Sequence, residues 1–246
     1  MFRPCVVIPV YDHEQAVGAV LQAVLDQHLP CILVDDGSSA PCASLLEQLR
    51  DRHPEQVFLE RHRCNAGKGA AVMTGFYRAA SEGFSHVLQV DADGQHCMDD
   101  IGRFLDLGRM LPGAVIAGCP QFDDSVPRLR LYARYLTHAW VWINTLSLAI
   151  RDAMCGFRLY PVDPVLALAA RCNLGQRMNF DTEILVRLYW EGLEVVSLPT
   201  RVSYPADGVS HFKAWTDNLL ITRMHAQLFC GMLVRLPMLL QRWRQR

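Results

Sequence analysis

The sequence predicts an α/β fold in which a mostly parallel sheet is flanked by helices. Short apolar runs rich in β-branched residues alternate with helical patterns from the first residues to about residue 117. Several of these runs end in acidic residues or glycine, and ligands of open parallel sheets bind at that carboxyl edge. The chain of 246 residues with 51% hydrophobic content is long enough for one large domain with a sizeable core.

The predicted elements follow one another in a regular order. A strand at 5–10, a helical pattern at 17–25 and a strand at 31–34 form a βαβ unit. Further strands are expected at 57–59, 87–90 and 114–117, with helices at about 72–80 and 99–110. Beyond them we expect a long helix within 125–150, a helix that begins near 179, and short strands at 195–198 and 201–204.

Two acids, Asp91 and Asp93, follow the fourth predicted strand and are separated by one small residue. Carboxylates at the end of a buried strand can reach the same ion, and such oxygen ligands hold a divalent cation with positions left for substrate phosphate. An isolated pair of this kind is more often a solvated turn, because acids and glycine favour turns. The other motifs of the chain reverse that balance in favour of a metal site.

Two more segments precede predicted helices. Asp36 can accept hydrogen bonds from ribose hydroxyls or a base N–H. A turn that caps the next helix would equally well explain an acidic residue at this position. Lys68 stands between two glycines at a helix start, where backbone N–H groups and one cation suit an anion. A tight start of the helix explains these glycines equally well. The spacing is not that of a Walker motif.

Four motifs in this order resemble those of the family 2 glycosyltransferases. They are Val7-Ile8-Pro9-Val10-Tyr11-Asp12, Val34-Asp35-Asp36-Gly37-Ser38, Asn65-Ala66-Gly67-Lys68-Gly69 and Asp91-Ala92-Asp93-Gly94-Gln95-His96. The resemblance covers about residues 4–211, and its later part is similar to the dolichyl- and polyprenyl-phosphate sugar transferase branch. It implies a Rossmann-like GT-A fold, a UDP- or GDP-sugar donor, and a lipid or polyprenyl-phosphate acceptor.

The resemblance also implies roles for particular residues. Donor contacts would come from Pro9, Tyr11, Asp36, Asn65, Lys68, Asp91 and Arg130. The metal, Mg²⁺ or Mn²⁺, would be held by Asp91, Asp93 and Gln95. Asp181 would be the catalytic carboxylate beside the acceptor, and Arg158 would balance the leaving diphosphate. Two of these have plain alternatives: acids in a first helical turn simply favour the helix dipole, and Arg130 is equally well a solvated surface charge.

Four positions depart from the family pattern. Asp12 stands where asparagine is common, which leaves the base of the nucleotide open. Cys155 replaces a hydroxyl residue, and we interpret it as a core thiol because no partner base is implied by the spacing. His138 stands where relatives often have asparagine, and a packing histidine is the better interpretation. His211 replaces the usual cation of a terminal loop.

The C-terminal region is both basic and apolar. We expect a transferase domain over 1–212 and a tail of amphipathic helices over 213–246, with Trp243 among arginines. Such helices suit a membrane surface, although packing on the catalytic core or on a dimer partner is the alternative. Charged residues and Pro237 interrupt the apolar stretch, so no membrane-spanning helix is predicted.

Composition excludes other classes. The formal net charge of −1 gives no electrostatic basis for nucleic-acid binding. Nine cysteines without a C-x-x-C pair are typical of reduced thiols in a cytoplasmic protein. The first apolar segment, at residues 5–10, is a predicted strand and is too short for a signal peptide. We therefore expect a cytoplasmic protein that associates peripherally with the inner membrane.

Together these features predict an inverting, metal-dependent glycosyltransferase that acts on a lipid or lipid-linked acceptor at the cytoplasmic membrane face. The segments 136–147 and 154–158 look closest to stand-alone bacterial members of lipid-linked pigment (aryl polyene) pathways. A non-catalytic nucleotide-sugar-binding scaffold is the alternative. A nucleotidyltransferase is less favoured, because its glycine-rich loop would follow the first strand, where this chain has Pro9-Val10-Tyr11-Asp12.

Overall fold

The computed structural model describes residues 1–121, 128–202 and 214–244, with side chains throughout except at 128–130, 133, 214, 243 and 244. The strands are β1 (Pro4–Val10), β2 (Cys31–Asp35), β3 (Val57–Arg61), β4 (His86–Gln89), β5 (Val115–Gln121), β6 (Arg158–Pro161) and β7 (Val195–Arg201). The helices are α1 (Val17–Asp26), α2 (Ala40–Arg52), α3 (Lys68–Ser81), α4 (Ile101–Met110), α5 (Arg128–Thr145), α6 (Val162–Ala169), α7 (Phe180–Trp190) and α8 (Ala214–Arg244).

These strands form one seven-stranded sheet in the order β3-β2-β1-β4-β6-β5-β7. The pairs β1–β2, β1–β4, β2–β3 and β5–β7 are parallel, which confirms the predicted mostly parallel sheet. Strand β6 was not predicted, and it runs antiparallel to β4 and β5. Because β6 runs in the opposite direction, its first residue lies at the edge where β1, β2 and β4 end.

The core lies on both faces of the sheet. Val6 and Ile8 of β1 belong to a cluster with Phe104 of α4, whereas Val7 belongs to a second cluster with Phe76 of α3. Successive side chains of a strand point to opposite faces, so a strand covered on both sides needs a continuous apolar run. The uninterrupted run at the start of the chain therefore has a direct structural cause.

Two predicted boundaries differ from the structure. The two short strands expected at 195–204 are one strand, β7, within the described residues, and 203–204 lie outside them. The long helix α5 ends at Thr145, and Leu146 next to it has a positive φ of 48°, which a continuing helix does not allow.

The C-terminal region is one uninterrupted helix, α8, and not several, with Pro237 inside it. One face packs on α5 and α7 and buries Asp217, Met224, His225, Leu228, Met232 and Leu239. Other positions expose large apolar side chains, namely Trp215, Leu219, Phe229, Leu233, Val234 and Leu240. By length and composition, Trp215–Arg242 could cross a membrane, so the predicted absence of such a helix is not confirmed. The domain boundary near residue 212 stays a prediction.

Helix α3 lies directly on β1, and Gly75 is a point of closest approach. A Cβ at Gly75 would overlap the side chain of Val7, whereas a Cβ at Gly18 of α1 meets nothing within 4 Å. We expect Gly75→Ala to lower the free energy of unfolding by about 1–3 kcal/mol because of overpacking. The control Gly18→Ala should raise it by about 0.5 kcal/mol, because alanine is the better helix former. Urea unfolding followed by circular dichroism measures both, and equal effects would contradict this packing.

Candidate active site

The predicted site residues gather at one edge of the sheet. Tyr11 follows β1, Asp36 follows β2 and Asp91 lies two residues after β4, so all three stand at carboxyl ends of neighbouring parallel strands. Gly156 precedes the antiparallel strand β6 and reaches the same edge from the opposite direction. This is the edge at which open α/β sheets bind ligands.

Lys68 is the centre of the site. Its Nζ lies 2.7 Å from Asp91 Oδ1 and 2.8 Å from Asp181 Oδ2. Burial alone would lower the pKa of Lys68, but the charges of Asp181 and Asp91 raise it above its ordinary value, so the amine stays protonated. Lys68, which is predicted to contact the donor, thus connects Asp91, a predicted metal ligand, to Asp181, the predicted catalytic carboxylate. Nothing in the sequence spacing indicated this bridge.

Asp91 and Asp93 differ in their electrostatic surroundings. Burial would raise the pKa of Asp91, but Lys68 and His96 hold it well below its usual range. The pKa of Asp93 is raised, first by burial and then by the neighbouring charge of Asp91, and only partly offset by the backbone N–H that Gln95 donates at 3.0 Å. A divalent cation would relieve this excess negative charge. With the amide oxygen that Gln95 carries, the three residues fit the hard oxygen set of Mg²⁺ or Mn²⁺.

A second group of possible metal ligands lies nearby. Oxygen and sulfur atoms of Asp12, Glu14 and Cys42 are within 4.8 Å of one another. Asp12 Oδ1 already accepts a hydrogen bond from the backbone N–H of Ser39 at 2.7 Å, and Glu14 is exposed. Asp91, Asp93 and Gln95, which follow β4, therefore remain the predicted metal ligands.

The backbone at Gly156 lies against the charged cluster. A Cβ there would come within 2.6 Å of both Asp91 carboxylate oxygens and 2.7 Å of Lys68 Nζ, which explains why the motif has glycine at this position. Asp152 holds this loop, because its Oδ1 accepts hydrogen bonds from the backbone N–H groups of Met154 and Cys155, each at 2.8 Å.

Asp152 also ties the loop to α5. Arg134 donates two hydrogen bonds to its carboxylate, from Nε at 2.6 Å and from Nη2 at 2.7 Å. His138 Nε2 lies 3.3 Å from the same carboxylate, which agrees with the interpretation as a packing histidine. Burial would raise the pKa of Asp152, but His138 and Arg134 hold it below its usual range. Burial raises the pKa of Cys155 to about 12, so it is a neutral thiol and no nucleophile.

Asp181 is buried at the start of α7 and held from several sides. Gln89 of β4 donates a hydrogen bond from Nε2 to Asp181 Oδ1 at 2.9 Å. Arg158 donates from Nη1 to the backbone carbonyl of Asp181, and to Tyr160 Oη at 3.1 Å. Arg158 is fully buried, so this geometry gives no support to direct contact with a diphosphate. Sequence reasoning missed Gln89, although a polar residue inside an apolar strand was a visible signal.

Both carboxylate oxygens of Asp36 are hydrogen-bonded to the loop that precedes α3. They accept hydrogen bonds from the backbone N–H groups of Ala66 and Gly67, each at 2.8 Å, and His62 Nδ1 lies at 2.7 Å. Gly67 has a φ of +106°, and the N–H of Ala70 is bound to the carbonyl of Gln176 at 3.0 Å. The loop forms a tight helix start, and contact of Lys68 with an anion stays a prediction. Contact of Asp36 with a ribose or base stays a prediction.

The remaining predicted residues are distributed around this edge. Pro9 is half-buried in β1 opposite Val34, and Asn65 lies in the loop that packs on Gly37. The side chain of Arg130 and the whole of His211 lie outside the described part of the chain, so their predicted roles stay predictions.

The fold and the site together indicate a class of protein. A mostly parallel α/β sheet with a set of oxygen ligands for a hard cation at its carboxyl edge is typical of a metal-dependent enzyme that binds its ligand at this edge. The sequence profile of glycosyl transferase family 2 matches residues 5–164, and the chain belongs to this family of glycosyltransferases.

Individual proteins agree with this assignment. Polyprenol monophosphomannose synthase of Mycolicibacterium smegmatis is 26% identical over 223 residues, which span 85% of this chain and 80% of that protein. This relative agrees with the predicted polyprenyl-phosphate branch, whereas the pigment-pathway resemblance stays a prediction.

Solved structures share the fold. Glucosyl-3-phosphoglycerate synthase from Mycobacterium tuberculosis, in complex with Mn²⁺, UDP-glucose and phosphoglyceric acid, superposes with a TM-score of 0.65 at 16% identity, covering 95% of this chain and 79% of that one. A mannosyltransferase from Pyrobaculum calidifontis, in complex with GDP-Man and Mn²⁺, gives 0.58 at 14% identity, covering 87% and 59%. These likenesses confirm the predicted GT-A fold.

The variant Gly156→Ala should lower nucleotide-sugar turnover by roughly a hundredfold, because the added methyl displaces Asp91 and Lys68 from their present geometry. The control Gly102→Ala in α4 should keep its turnover, because a Cβ there meets nothing within 4 Å. Turnover of donor measured under saturating metal, with unfolding midpoints of both variants, gives the comparison. Wild-type turnover in Gly156→Ala would contradict the geometry.

Proposed function

We propose that this chain is an inverting, metal-dependent glycosyltransferase that moves a sugar from a nucleotide diphosphate-sugar to a lipid acceptor of the polyprenyl-phosphate type at a membrane surface. The observation that carries the proposal is the contact of Lys68 with both Asp91 and Asp181. It joins the acids expected at the donor to the acid expected at the acceptor within one buried charge network.

On the donor side, Asp91, Asp93 and Gln95 would hold Mg²⁺ or Mn²⁺. The bound cation supplies charge neutralisation for the diphosphate that leaves the anomeric carbon. Lys68 fixes the orientation of Asp91, and the absence of a Cβ at Gly156 lets both side chains pack against the backbone there. UDP-glucose and GDP-Man occupy the two structural neighbours, so both nucleotides remain candidates for this chain.

On the acceptor side, the role of Asp181 depends on the nucleophile. An acceptor oxygen attacks the anomeric carbon as the bond to the diphosphate breaks, and a single displacement inverts that carbon. A phosphate acceptor has a second pKa of about 6 and is already ionised near neutral pH. A hydroxyl acceptor must lose a proton, which Asp181 would take. Gln89 and Lys68 orient the two Asp181 oxygens, and we assign Arg158 the positioning of the same residue.

The membrane side of the proposal rests on α5 and α8, which pack against each other. Large apolar side chains are exposed on α5 at Tyr132, Tyr135, Leu136 and Ile143, and on α8 at Trp215, Leu219, Leu233, Val234 and Leu240. The buried face of α8 contacts the catalytic domain from Asp217 to Leu239, so the helix would have to leave the domain to cross a bilayer. We therefore propose that α8 lies on the cytoplasmic face of the inner membrane.

Radiolabel transfer tests this function. A panel of UDP- and GDP-sugars is incubated with bacterial lipid extract and Mn²⁺ or Mg²⁺, and the lipid product is then treated with mild acid. We expect one donor to give an acid-labile lipid product, because a sugar on a lipid phosphate is hydrolysed under mild acid. Chelation of the metal, or the variant Asp93→Ala, should abolish the label. Absence of lipid label with every donor would contradict the proposed acceptor class.

The variant Asp181→Asn in the same assay separates the two acceptor chemistries. With a phosphate acceptor the loss should be mild, because no base is needed and the amide keeps the shape of the side chain. With a hydroxyl acceptor, shown by an acid-stable product, the loss should be about 10²- to 10⁴-fold. A mild loss on an acid-stable product would remove Asp181 from the role of base.

A further inference from the structure

A polar pocket of about 350 Å³ lies between the loop 173–179 and α8, apart from the active site described above. Asn179 and Glu183 face the pocket from the start of α7. Asp181 lies between them in sequence and faces Lys68. Residues four apart share one side of a helix and the residue midway points away from it, so α7 separates the pocket from the catalytic acid.

The pocket carries uncompensated positive charge. Arg177 and Arg223 line it, and neither has an ion-pair partner among the residues that the structure describes. Glu183 also lines it, but its Oε2 accepts the backbone N–H of Gly175 at 2.9 Å and its Oε1 accepts from Arg187 at 2.8 Å. The carboxylate is therefore already engaged, and the two arginines are free to bind an anion.

The arginines are a distinctive feature of this pocket. Two other arginines of the same region, Arg171 and Arg187, are paired with Glu191 and Glu183 at 2.9 Å and 2.7 Å. Amide side chains complete the lining, among them Asn173 and Gln227. Planar guanidinium groups with neighbouring amide donors match the oxygens of a phosphate group.

The mouth of the pocket lies beside exposed apolar side chains of α8. Leu219 is 70% exposed and stands one turn before Arg223, on the same side of the helix. Trp215 is 92% exposed and stands one turn earlier. A phosphate-binding cation next to exposed leucine and tryptophan suits the boundary between lipid headgroups and acyl chains.

We propose that this pocket binds the phosphate group of an anionic membrane lipid, at a site distinct from the donor and acceptor sites. The inference rests on the proposed membrane association and is independent of the transfer reaction. Binding there would place the start of α8 and the loop 173–179 at the membrane surface. Gln176 of that loop holds the first turn of α3, which carries Lys68, so the bound lipid contacts the element beside the active site.

Vesicle co-sedimentation of the full chain, without donor sugar, tests the proposal. Vesicles of phosphatidylcholine alone are compared with vesicles that also contain phosphatidic acid. We expect wild type to prefer the anionic vesicles, and Gln227→Trp to reduce that preference roughly tenfold, because the indole fills the pocket without changing the net charge. Gln241→Trp is the matched control, since Gln241 is exposed on the same helix outside the pocket. Equal behaviour of the two variants would overturn the proposal.

Two double variants that remove the same number of charges give an independent test of the proposed site. Arg177→Gln/Arg223→Gln should lose the preference for anionic vesicles, whereas Arg52→Gln/Arg63→Gln, which removes two exposed arginines elsewhere, should retain most of it. Equal losses would mean diffuse attraction between the protein and the vesicle, which overturns a defined site.

Calorimetry with sn-glycerol 3-phosphate, the soluble ester that corresponds to phosphatidic acid, distinguishes the source of the phosphate. Saturable binding that Gln227→Trp abolishes supports a phosphate site that a soluble ester also fills. Vesicle binding sensitive to Gln227→Trp without glycerol phosphate binding supports a lipid headgroup specifically. Absence of both overturns the proposal, and because neither assay contains a nucleotide sugar, this outcome leaves the test of transferase activity untouched.

Discussion

The sharing of one lysine by two acids that are largely shielded from solvent is the interaction on which the site depends. The side chains of Lys68, Asp91 and Asp181 are only 16%, 22% and 7% exposed, so each charge has lost most of its hydration. Buried charges are tolerated when they are paired and hydrogen-bonded. The pairing of Lys68 therefore fixes the start of α3, the segment after β4 and the start of α7 relative to one another.

Helix α7 connects the chemistry with the surface of the domain. One side of its first turn presents Asp181 to Lys68 and Gln89, while Asn179 and Glu183 face the pocket beside α8. The same helix packs against α5 and α8, which expose apolar side chains. Under the proposed function, an acceptor delivered from a membrane surface would meet Asp181 on a helix that packs against the two helices proposed to face the membrane.

The parallel strands were predictable because strands covered on both faces require continuous apolar runs. Strand β6 was not, because it has four residues and begins with Arg158, whose burial depends on partners distant in sequence. The continuity of α8 was missed because packing on α5 and α7 outweighs the local effect of Pro237. The motifs located Asp91 and Asp181, but their connection through Lys68 is a tertiary contact that spacing does not encode.

A double-mutant cycle on Lys68 and Asp181 tests the central claim most directly. The free energy of unfolding is measured by urea titration for wild type, Lys68→Met, Asp181→Asn and the double variant. Lys68→Met should cost about 3–5 kcal/mol, because it leaves two buried carboxylates without their cation. The cost should be smaller when Asp181 is already neutral, with a coupling of about 2 kcal/mol or more. Additive effects within about 0.5 kcal/mol would contradict the bridge.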